Sequence, residues 1–337
     1  MKKLLIATTA LVGTASVVAA DNANINFGGY GRFGILYEED RARSASQADV
    51  DAGLAAAVGD SVLEEETRIE SRFRLNIDAS TETDGGIRFA ARVRVEANEN
   101  SDNSANAASF SGARFQVSSG GLRVRVGNIS GVTDAANVVN YFGFEPGLVG
   151  QTGQYANSGV SLPAFSSTGA GNNGINVLYE MGDFKVMASY TDDHTDNDGA
   201  TSSTAAFGDS FEIGASYTFS AWTLGAVYGE FEGAGSDVTN DWIVATLSGT
   251  IGIADVSFLV SDFEGDDDAV FGASASFPVG AATNILASVS DGGADGNDTS
   301  YGLGFRHSLG GGVRLDGMVG SNAAGNTIAD LGVRFDF

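Results

Sequence analysis

The chain closes with Ile328-Ala-Asp-Leu-Gly-Val-Arg-Phe-Asp-Phe337, whose period-two alternation is the strongest indication of the fold. Side chains alternate between the two faces of an extended strand. One face then carries Ala329, Leu331, Val333, Phe335 and Phe337, and the other carries Asp330, Gly332, Arg334 and Asp336. An exposed aromatic end would suit the edge strand of a water-soluble protein poorly, because such edges promote aggregation. The pattern instead predicts a strand that faces lipid and closes a barrel against the first strand of the chain.

The same alternation recurs along the chain, and we count sixteen such segments. The first five lie near residues 27–37, 68–77, 87–96, 114–117 and 122–126. The other eleven lie near 173–181, 184–191, 209–219, 222–230, 241–251, 255–263, 269–277, 283–290, 299–307, 313–321 and 327–337. Nothing after the first twenty residues offers about 18 apolar residues in a row, so the sequence predicts spanning by strands rather than by helices.

Short and long connections alternate between these segments. Gly182-Asp183 and Ser220-Ala221 are tight turns, whereas residues 192–208 and 232–240 are longer and polar. This order collects the tight turns at one end of a barrel, as in outer-membrane barrels, and a soluble β-sandwich has no reason to keep it. Aromatic residues near the segment ends would form interfacial girdles, although strand propensity alone also enriches them. They are Tyr37, Tyr190, Tyr217, Phe219, Trp222, Tyr228, Tyr301 and Phe337.

The first twenty residues have the layout of a secretory signal. Two lysines precede an apolar stretch, Leu4 to Val18, and Ala19-Ala20 would supply the small residues of a cleavage site before Asp21. The apolar stretch is short for a membrane helix, and an uncleaved anchor is the alternative. We therefore expect a signal peptide at 1–20 and one outer-membrane barrel domain at 21–337.

The chain is acidic and contains no cysteine. Its 337 residues include 43 Asp and Glu against 18 Lys and Arg, a formal charge of −25 that becomes −27 once residues 1–20 are removed. Nucleic acid is not expected as a partner, because it requires a basic surface. Disulfides and thiolate metal sites are excluded. A mean hydropathy of +0.01 fits alternating strands, although a large soluble β protein would give a similar value.

Four short motifs, in this order, resemble those of Gram-negative general-diffusion porins of the alphaproteobacterial type. They are Phe27-Gly-Gly-Tyr-Gly-Arg32, Gly127-Asn128 with Gly131-Val-Thr-Asp134, Phe144-Glu-Pro-Gly147 and Arg334-Phe-Asp-Phe337. The resemblance covers residues 21–337. It implies an all-β fold, a 16-stranded antiparallel transmembrane barrel with a long third outer loop folded into the pore. The interruption between residues 128 and 172 would be that loop.

The resemblance also implies partners and a location. It implies a homotrimer, and small-residue runs such as Ala273-Ser-Ala-Ser276 would suit an interface strand. The implied surroundings are the lipid and lipopolysaccharide of the outer membrane of a Gram-negative bacterium. Small hydrophilic solutes would pass through the barrel.

Ten arginines fall on the polar faces of the first five segments. They are Arg32, Arg68, Arg72, Arg74, Arg88, Arg92, Arg94, Arg114, Arg123 and Arg125, and we call them the arginine wall. An arginine on the lipid face would cost about 2–4 kcal/mol at the midplane, so the wall is predicted to line the pore. The alternative is that these arginines only form structural salt bridges with inward acids such as Glu70 and Glu96.

The resemblance places the long loop, with Asp134 and Glu145, across the pore from such a wall. Opposed charges at a constriction create a transverse field, which tunes selectivity by charge and size rather than by tight binding. These two carboxylates complete the predicted constriction.

Catalysis and metal binding receive little support from the sequence. His194 and His307 are the only histidines, and no Ser–His arrangement stands out, so the chain is not expected to be an enzyme. No cofactor is expected. Acidic loop clusters, represented by Asp192, Asp266 and Asp268, offer oxygen ligands suited to a loop-bound Ca²⁺. No segment matches the full calcium-loop pattern, so solubilising charge is the favoured explanation.

The sequence thus predicts an outer-membrane general-diffusion porin, a passive water-filled channel for small hydrophilic solutes and ions. Sixteen strands leave an open lumen, whereas eight are filled by side chains. Two alternatives remain. One is a solute- or anion-selective porin, and the other is a non-conducting structural or adhesive outer-membrane barrel.

Overall fold

The computed structural model describes residues 24–98, 107–150, 173–192, 207–233 and 239–337. These residues form one closed antiparallel barrel of sixteen long strands, as predicted. The strands, including three short ones, are β1 (Asn24–Glu38), β2 (Ala42–Ser44), β3 (Ser61–Leu63), β4 (Thr67–Glu82), β5 (Arg88–Asn98), β6 (Ser109–Phe110), β7 (Arg114–Ser119), β8 (Leu122–Gly127), β9 (Asn173–Met181), β10 (Phe184–Asp192), β11 (Phe207–Phe219), β12 (Trp222–Gly233), β13 (Thr239–Ile251), β14 (Ala254–Phe263), β15 (Asp268–Pro278), β16 (Thr283–Gly293), β17 (Ser300–Gly310), β18 (Val313–Ser321) and β19 (Thr327–Asp336). The predicted signal peptide, residues 1–20, lies outside the described residues.

The barrel closes between the two ends of the chain. β1 pairs with β4 on one side and with β19 on the other. Gly29 and Phe337 exchange both backbone hydrogen bonds, at 2.8 and 3.0 Å, just beyond the end of β19. The predicted closure of the last strand against the first is confirmed. β6 and β7 lie along the same edge of β5 and together occupy one barrel position.

The lipid-facing surface follows from the alternation. On β19, Leu331 and Phe337 are 54% and 52% exposed, while the intervening Asp330 is buried inside the barrel. The same holds on β1, where Phe33 and Ile35 point outward and Leu36 is buried. Large apolar side chains are exposed on the outer face of strand after strand. Their exposure to water would be unfavourable, whereas contact with lipid stabilises them.

The two ends of the barrel differ as the connection lengths predict. Tight turns join β9 to β10 and β11 to β12, and Gly182 adopts the positive φ of 60° that such a turn requires. The long connections leave the strands at the opposite end, among them residues 39–66 and the connection that begins at Asn128. The strands from β9 to β19 begin and end within three residues of the predicted limits.

Residues 39–66 contain structure that the alternation does not predict. β2 and β3 form a small hairpin, and a short helix, Gln47–Asp51, lies between them. Ser46 caps this helix in a reciprocal arrangement with Asp49. Among the residues that the structure describes, no helix is long and apolar enough to cross a membrane.

Candidate functional site

The long connection after β8 lies inside the barrel. We call its described part, residues 128–150, the inner loop. Its apolar side chains are buried against inward-facing residues of the wall, and the main cluster contains Val132, Val138 and Tyr141 together with Trp242 and Val244 of β13. The inner loop therefore occupies part of the barrel interior. This arrangement agrees with the predicted folding of the third outer loop into the pore.

A carboxylate on β11 fixes the beginning of the inner loop. Glu212 is 2% exposed and accepts hydrogen bonds from the backbone N–H and the hydroxyl of Thr133, both at 2.7 Å. The indole N–H of Trp242 reaches the same hydroxyl at 3.4 Å. Bonds to a charged acceptor are stronger than neutral ones, so this contact holds the loop firmly against the wall.

Hydroxyl groups of the wall hold the middle of the inner loop. The backbone N–H of Asn140 donates to the hydroxyl of Thr246 on β13 at 3.0 Å. The N–H of Phe144 donates to the hydroxyl of Ser274 on β15 at 2.8 Å. Each of these wall hydroxyls accepts a hydrogen bond from a backbone N–H of the inner loop, so the loop is held at successive strands.

A second carboxylate, on β19, fixes the far end of the loop. Asp330 accepts the backbone N–H of Leu148 with both oxygens at 2.9 Å, and that of Val149 at 3.4 Å. The anchors thus lie on β11, β13, β15 and β19. The inner loop runs along the inside of the barrel from β11 to β19, across the lumen from β4 to β8 and next to β1 at its far end.

Inward-facing glycines make room for this loop. A Cβ on Gly225 of β12 would lie 2.1 Å from the carbonyl oxygen of Val138. A Cβ on Gly332 of β19 would lie 2.4 Å from Leu148. The first contact is with the loop backbone and cannot form without a shift of the loop, whereas the second would require the Leu148 side chain to move. Glycine at these positions permits the close approach.

The arginine wall lies on the inner faces of β1, β4, β5, β7 and β8. Arg32 is on β1, Arg68, Arg72 and Arg74 are on β4, Arg88, Arg92 and Arg94 are on β5, Arg114 is on β7, and Arg123 and Arg125 are on β8. Closure of the barrel extends the wall with arginines of the last strands. Arg72 lies directly opposite Arg32, Arg32 opposite Arg334, and Arg334 opposite Arg314, which forms one lateral row across four strands.

About half of the wall is paired with inward acids. Arg32 contacts Glu70, Arg74 contacts Glu96, and Arg92 contacts Asp78 at 2.6 Å. Arg72 and Arg123 reach Glu96 and Glu180 at the longer distances of 3.7 and 3.5 Å. The guanidinium of Arg334 also lies 4.0 Å from the centre of the Tyr30 ring, a cation–π contact. Salt bridging therefore explains part of the wall.

The remaining arginines are arranged differently. Within the described residues, Arg88, Arg114 and Arg125 form no ion pair with a carboxylate; Arg88 donates to Ser80 and Arg125 to Gln116. Arg94 donates to Asn76, and Arg68 is half-buried near the loop end of β4. Positive charge therefore remains on this side of the lumen, because Arg88, Arg114 and Arg125 have no carboxylate partner among the described residues.

The two predicted loop carboxylates lie in different surroundings. Asp134 follows the Thr133 anchor and lies within electrostatic reach of Arg94 and Arg74. The carboxylate of Glu145 lies beside Gly150 of its own loop. The structure thus brings Asp134 towards the arginine wall. The role of either residue in a constriction stays a prediction.

The described residues contain no candidate metal centre. No group of three or more His, Asp or Glu residues there could hold a metal ion. Asp266 lies on the connection after β14, and Asp268 lies at the start of β15. The side chain of Asp192 and the whole of His194 lie outside the described residues. His307 shares a hydrogen bond of 2.7 Å with Thr283. Calcium binding by the loops stays a prediction.

The chain matches the family model for Gram-negative porins over residues 7–327. The chain belongs to the Gram-negative porin family. It is 31% identical over 325 residues to a porin of Fuscovulum blasticum, an alignment that covers 93% of this chain and 100% of the relative. Two solved structures of Rh. blastica porin mutants match with a TM-score of 0.72 each, at 28% and 27% identity, over 93% of this chain and 100% of theirs. This porin is a general-diffusion channel of the outer membrane, and its relatives are channels rather than enzymes.

Sequence reasoning did not assign Glu212, Asp330 or the arginines of the last strands to this porin's site. The arginines could have been found, because closure of the barrel puts Arg334 directly opposite Arg32, and Arg314 lies opposite Arg334 on the next strand. The loop anchors offered no such signal, since an inward acid on an alternating strand looks the same whether it pairs with arginine or with a loop backbone.

Proposed function

We propose that solutes and ions diffuse through a constriction between the arginine wall and the inner loop. The observation that carries this proposal is the series of anchors from Glu212 to Asp330, which holds the loop on the wall opposite the arginines. Asp134 and Arg94 would then face each other across the narrowest part of the lumen. Opposed charges would orient dipolar solutes there, and permeation would be downhill, without a cofactor.

A single introduced thiol tests this placement, because the natural chain contains no cysteine. Asp134→Cys is treated with a bulky charged methanethiosulfonate while its single-channel current is recorded. The expected result is a stepwise fall in conductance on modification. Ala329→Cys, on the lipid face of β19, is the matched control and should leave the conductance unchanged. Complete labelling of Asp134→Cys, shown by mass spectrometry, with an unchanged current would remove Asp134 from the constriction.

We propose that this porin assembles as a homotrimer in contact with lipid and lipopolysaccharide. The family resemblance supports a trimer, and the outward faces of β15 carry small residues, Ala273 and Ala275, that permit close contact between subunits. Native mass measurement in detergent should give three chains per particle. A conducting species with the mass of a single chain would contradict the trimer.

Export is proposed to remove residues 1–20. The two lysines, the apolar stretch and the small residues before Asp21 support this proposal. The measurement is the N-terminal sequence of protein isolated from outer membranes. A start at Asp21 is expected, and a start at Met1 would indicate an uncleaved segment.

A further inference from the structure

A cavity of about 490 Å³ lies against the arginine wall, near the tight-turn end of the barrel. Arg88 and Arg92 of β5, Arg114 of β7 and Arg125 of β8 line it. Its other polar lining residues are Asn24, Asn26, Asp78, Ser80 and Gln116. The volume falls within the range of about 300–1,000 Å³ that is usual for small-molecule sites. The inner loop contributes no residue to this lining, so the cavity is formed by the arginine-wall side of the lumen alone.

The charge in this cavity is strongly unbalanced. Arg92 pairs with Asp78, the one carboxylate that lines the cavity. Arg114 lies directly opposite Arg92 across the β5–β7 pair and has no carboxylate partner in the described part of the chain. Like charges directly opposite in a sheet are destabilising. Three positive charges therefore remain in excess over Asp78, and the fold tolerates a repulsion that a bound anion would relieve.

The chemistry of the lining selects the kind of anion. Guanidinium groups present paired donors in a plane, which match the oxygens of phosphate groups. The neutral lining residues add hydrogen-bond donors for an anion. The side-chain oxygen of Gln116 accepts a hydrogen bond from Arg125, which leaves the Gln116 amide N–H groups to donate to a ligand. Arg92, Arg114 and Arg125 are half-buried, so they are partly desolvated and attract charge more strongly than surface arginines do.

We infer that this cavity is a binding subsite for multiply charged phosphate-type anions on their way through the pore. The inference rests on the proposed diffusion function and extends it. Weak, reversible occupation of the subsite would concentrate phosphorylated solutes at the tight-turn end of the lumen. It would do so in a pore whose overall charge is strongly negative.

Pyrophosphate is the probe for this site, and single-channel current in KCl is the readout. Pyrophosphate should reduce the wild-type current in a saturable manner. Arg114→Gln should weaken this effect by about tenfold, the loss expected for one charged hydrogen-bonding partner. Lys185→Gln removes one inward positive charge from β10, outside the cavity, and is the matched control, which should keep the wild-type response. Should Arg114→Gln fail to fold, Arg125→Gln replaces it.

A second readout does not depend on conduction. Pyrophosphate should raise the thermal unfolding temperature of the detergent-solubilised wild type, but not that of Arg114→Gln. Without any anion, Arg114→Gln should be at least as stable as the wild type, because it relieves the repulsion from Arg92. No pyrophosphate effect on the wild type, or equal effects on Arg114→Gln and Lys185→Gln, would overturn the inference. If the porin conducts KCl but shows no response to pyrophosphate, only the anion subsite is contradicted. If it binds pyrophosphate but carries no current, only the diffusion function is contradicted.

Discussion

The carboxylate of Asp330 receives the backbone N–H of Leu148 at 2.9 Å on each oxygen. This contact joins the last strand of the barrel to the far end of the inner loop, across 182 residues of sequence. The corresponding contact at the other end joins Glu212 to Thr133. Two buried carboxylates therefore hold the two ends of the inner loop against the barrel wall.

Removal of the far anchor should loosen the loop. Asp330→Ala leaves the N–H groups of Leu148 and Val149 without their acceptor, at a cost of about 1–3 kcal/mol. We expect lower thermal stability and a noisier open-channel current. Asp255→Ala is the control, because Asp255 is exposed and bonds only Thr250 in the described part of the chain. If Asp330→Ala has the conductance and the current noise of the wild type, this anchor does not determine the pore width.

A methyl group placed under the loop should displace it. Gly225→Ala would bring a Cβ within 2.1 Å of the Val138 carbonyl oxygen. The loop must then move towards the lumen, so we expect a smaller single-channel conductance. Gly280→Ala is the control, since no heavy atom lies within 4 Å of the added Cβ there. Equal conductance in the two variants would contradict the close approach of Val138 to the wall.

Loss of wall charge should change ion preference. The triple replacement Arg72→Ser, Arg74→Ser and Arg92→Ser shortens three inward side chains and leaves Glu96 and Asp78 without these partners. We expect a larger conductance and a reversal potential shifted towards cation preference. Adding Glu96→Gln to the triple variant should restore part of the wild-type preference. Unchanged conductance and reversal potential would place these arginines away from the constriction.

The outer segment between β1 and β4 should respond to acid. Arg43 donates to both oxygens of Asp49 at 2.6 Å, and with Ser46 it holds the pKa of Asp49 well below its usual range. A lowered folded-state pKa contributes stability above the unfolded pKa of about 3.9, and that stability is lost as the pH falls through the folded value. Amide exchange protection of residues 42–63 should therefore hold above about pH 4 and decline below it.

Asp49→Asn provides the comparison for this pH dependence. Its protection at pH 6 should already be reduced, and further acidification should change it little. Wild-type protection in Asp49→Asn at pH 6 would show that the ion pair with Arg43 does not stabilise the segment.

The sequence predicted side-chain orientation correctly on the strands, where a side chain faces either the lipid or the lumen. Alternation assigned Phe33 outward and Arg32 inward without reference to any other strand, because the cost of a charge in lipid decides the orientation. Alternation also predicted that the last strand pairs with the first, and this pairing places Arg334 opposite Arg32.

Contacts between the loop and the wall could not be predicted in the same way. Leu148 and Asp330 share no local pattern, and the loop has no periodicity that would orient Thr133 towards Glu212. The helix at Gln47–Asp51 is an intermediate case. Ser46 and Asp49 have the spacing of a capping box, a signal present in the sequence, although the surrounding polar stretch suggested only a loop.

The recording of single-channel current in planar bilayers tests the diffusion channel most directly. Purified, folded porin added to a bilayer in KCl should produce discrete current steps that are proportional to voltage, because a sixteen-stranded barrel is wide enough to enclose an aqueous channel. Insertion shown by protease protection, with no current at any voltage, would contradict this account and favour a non-conducting structural or adhesive barrel.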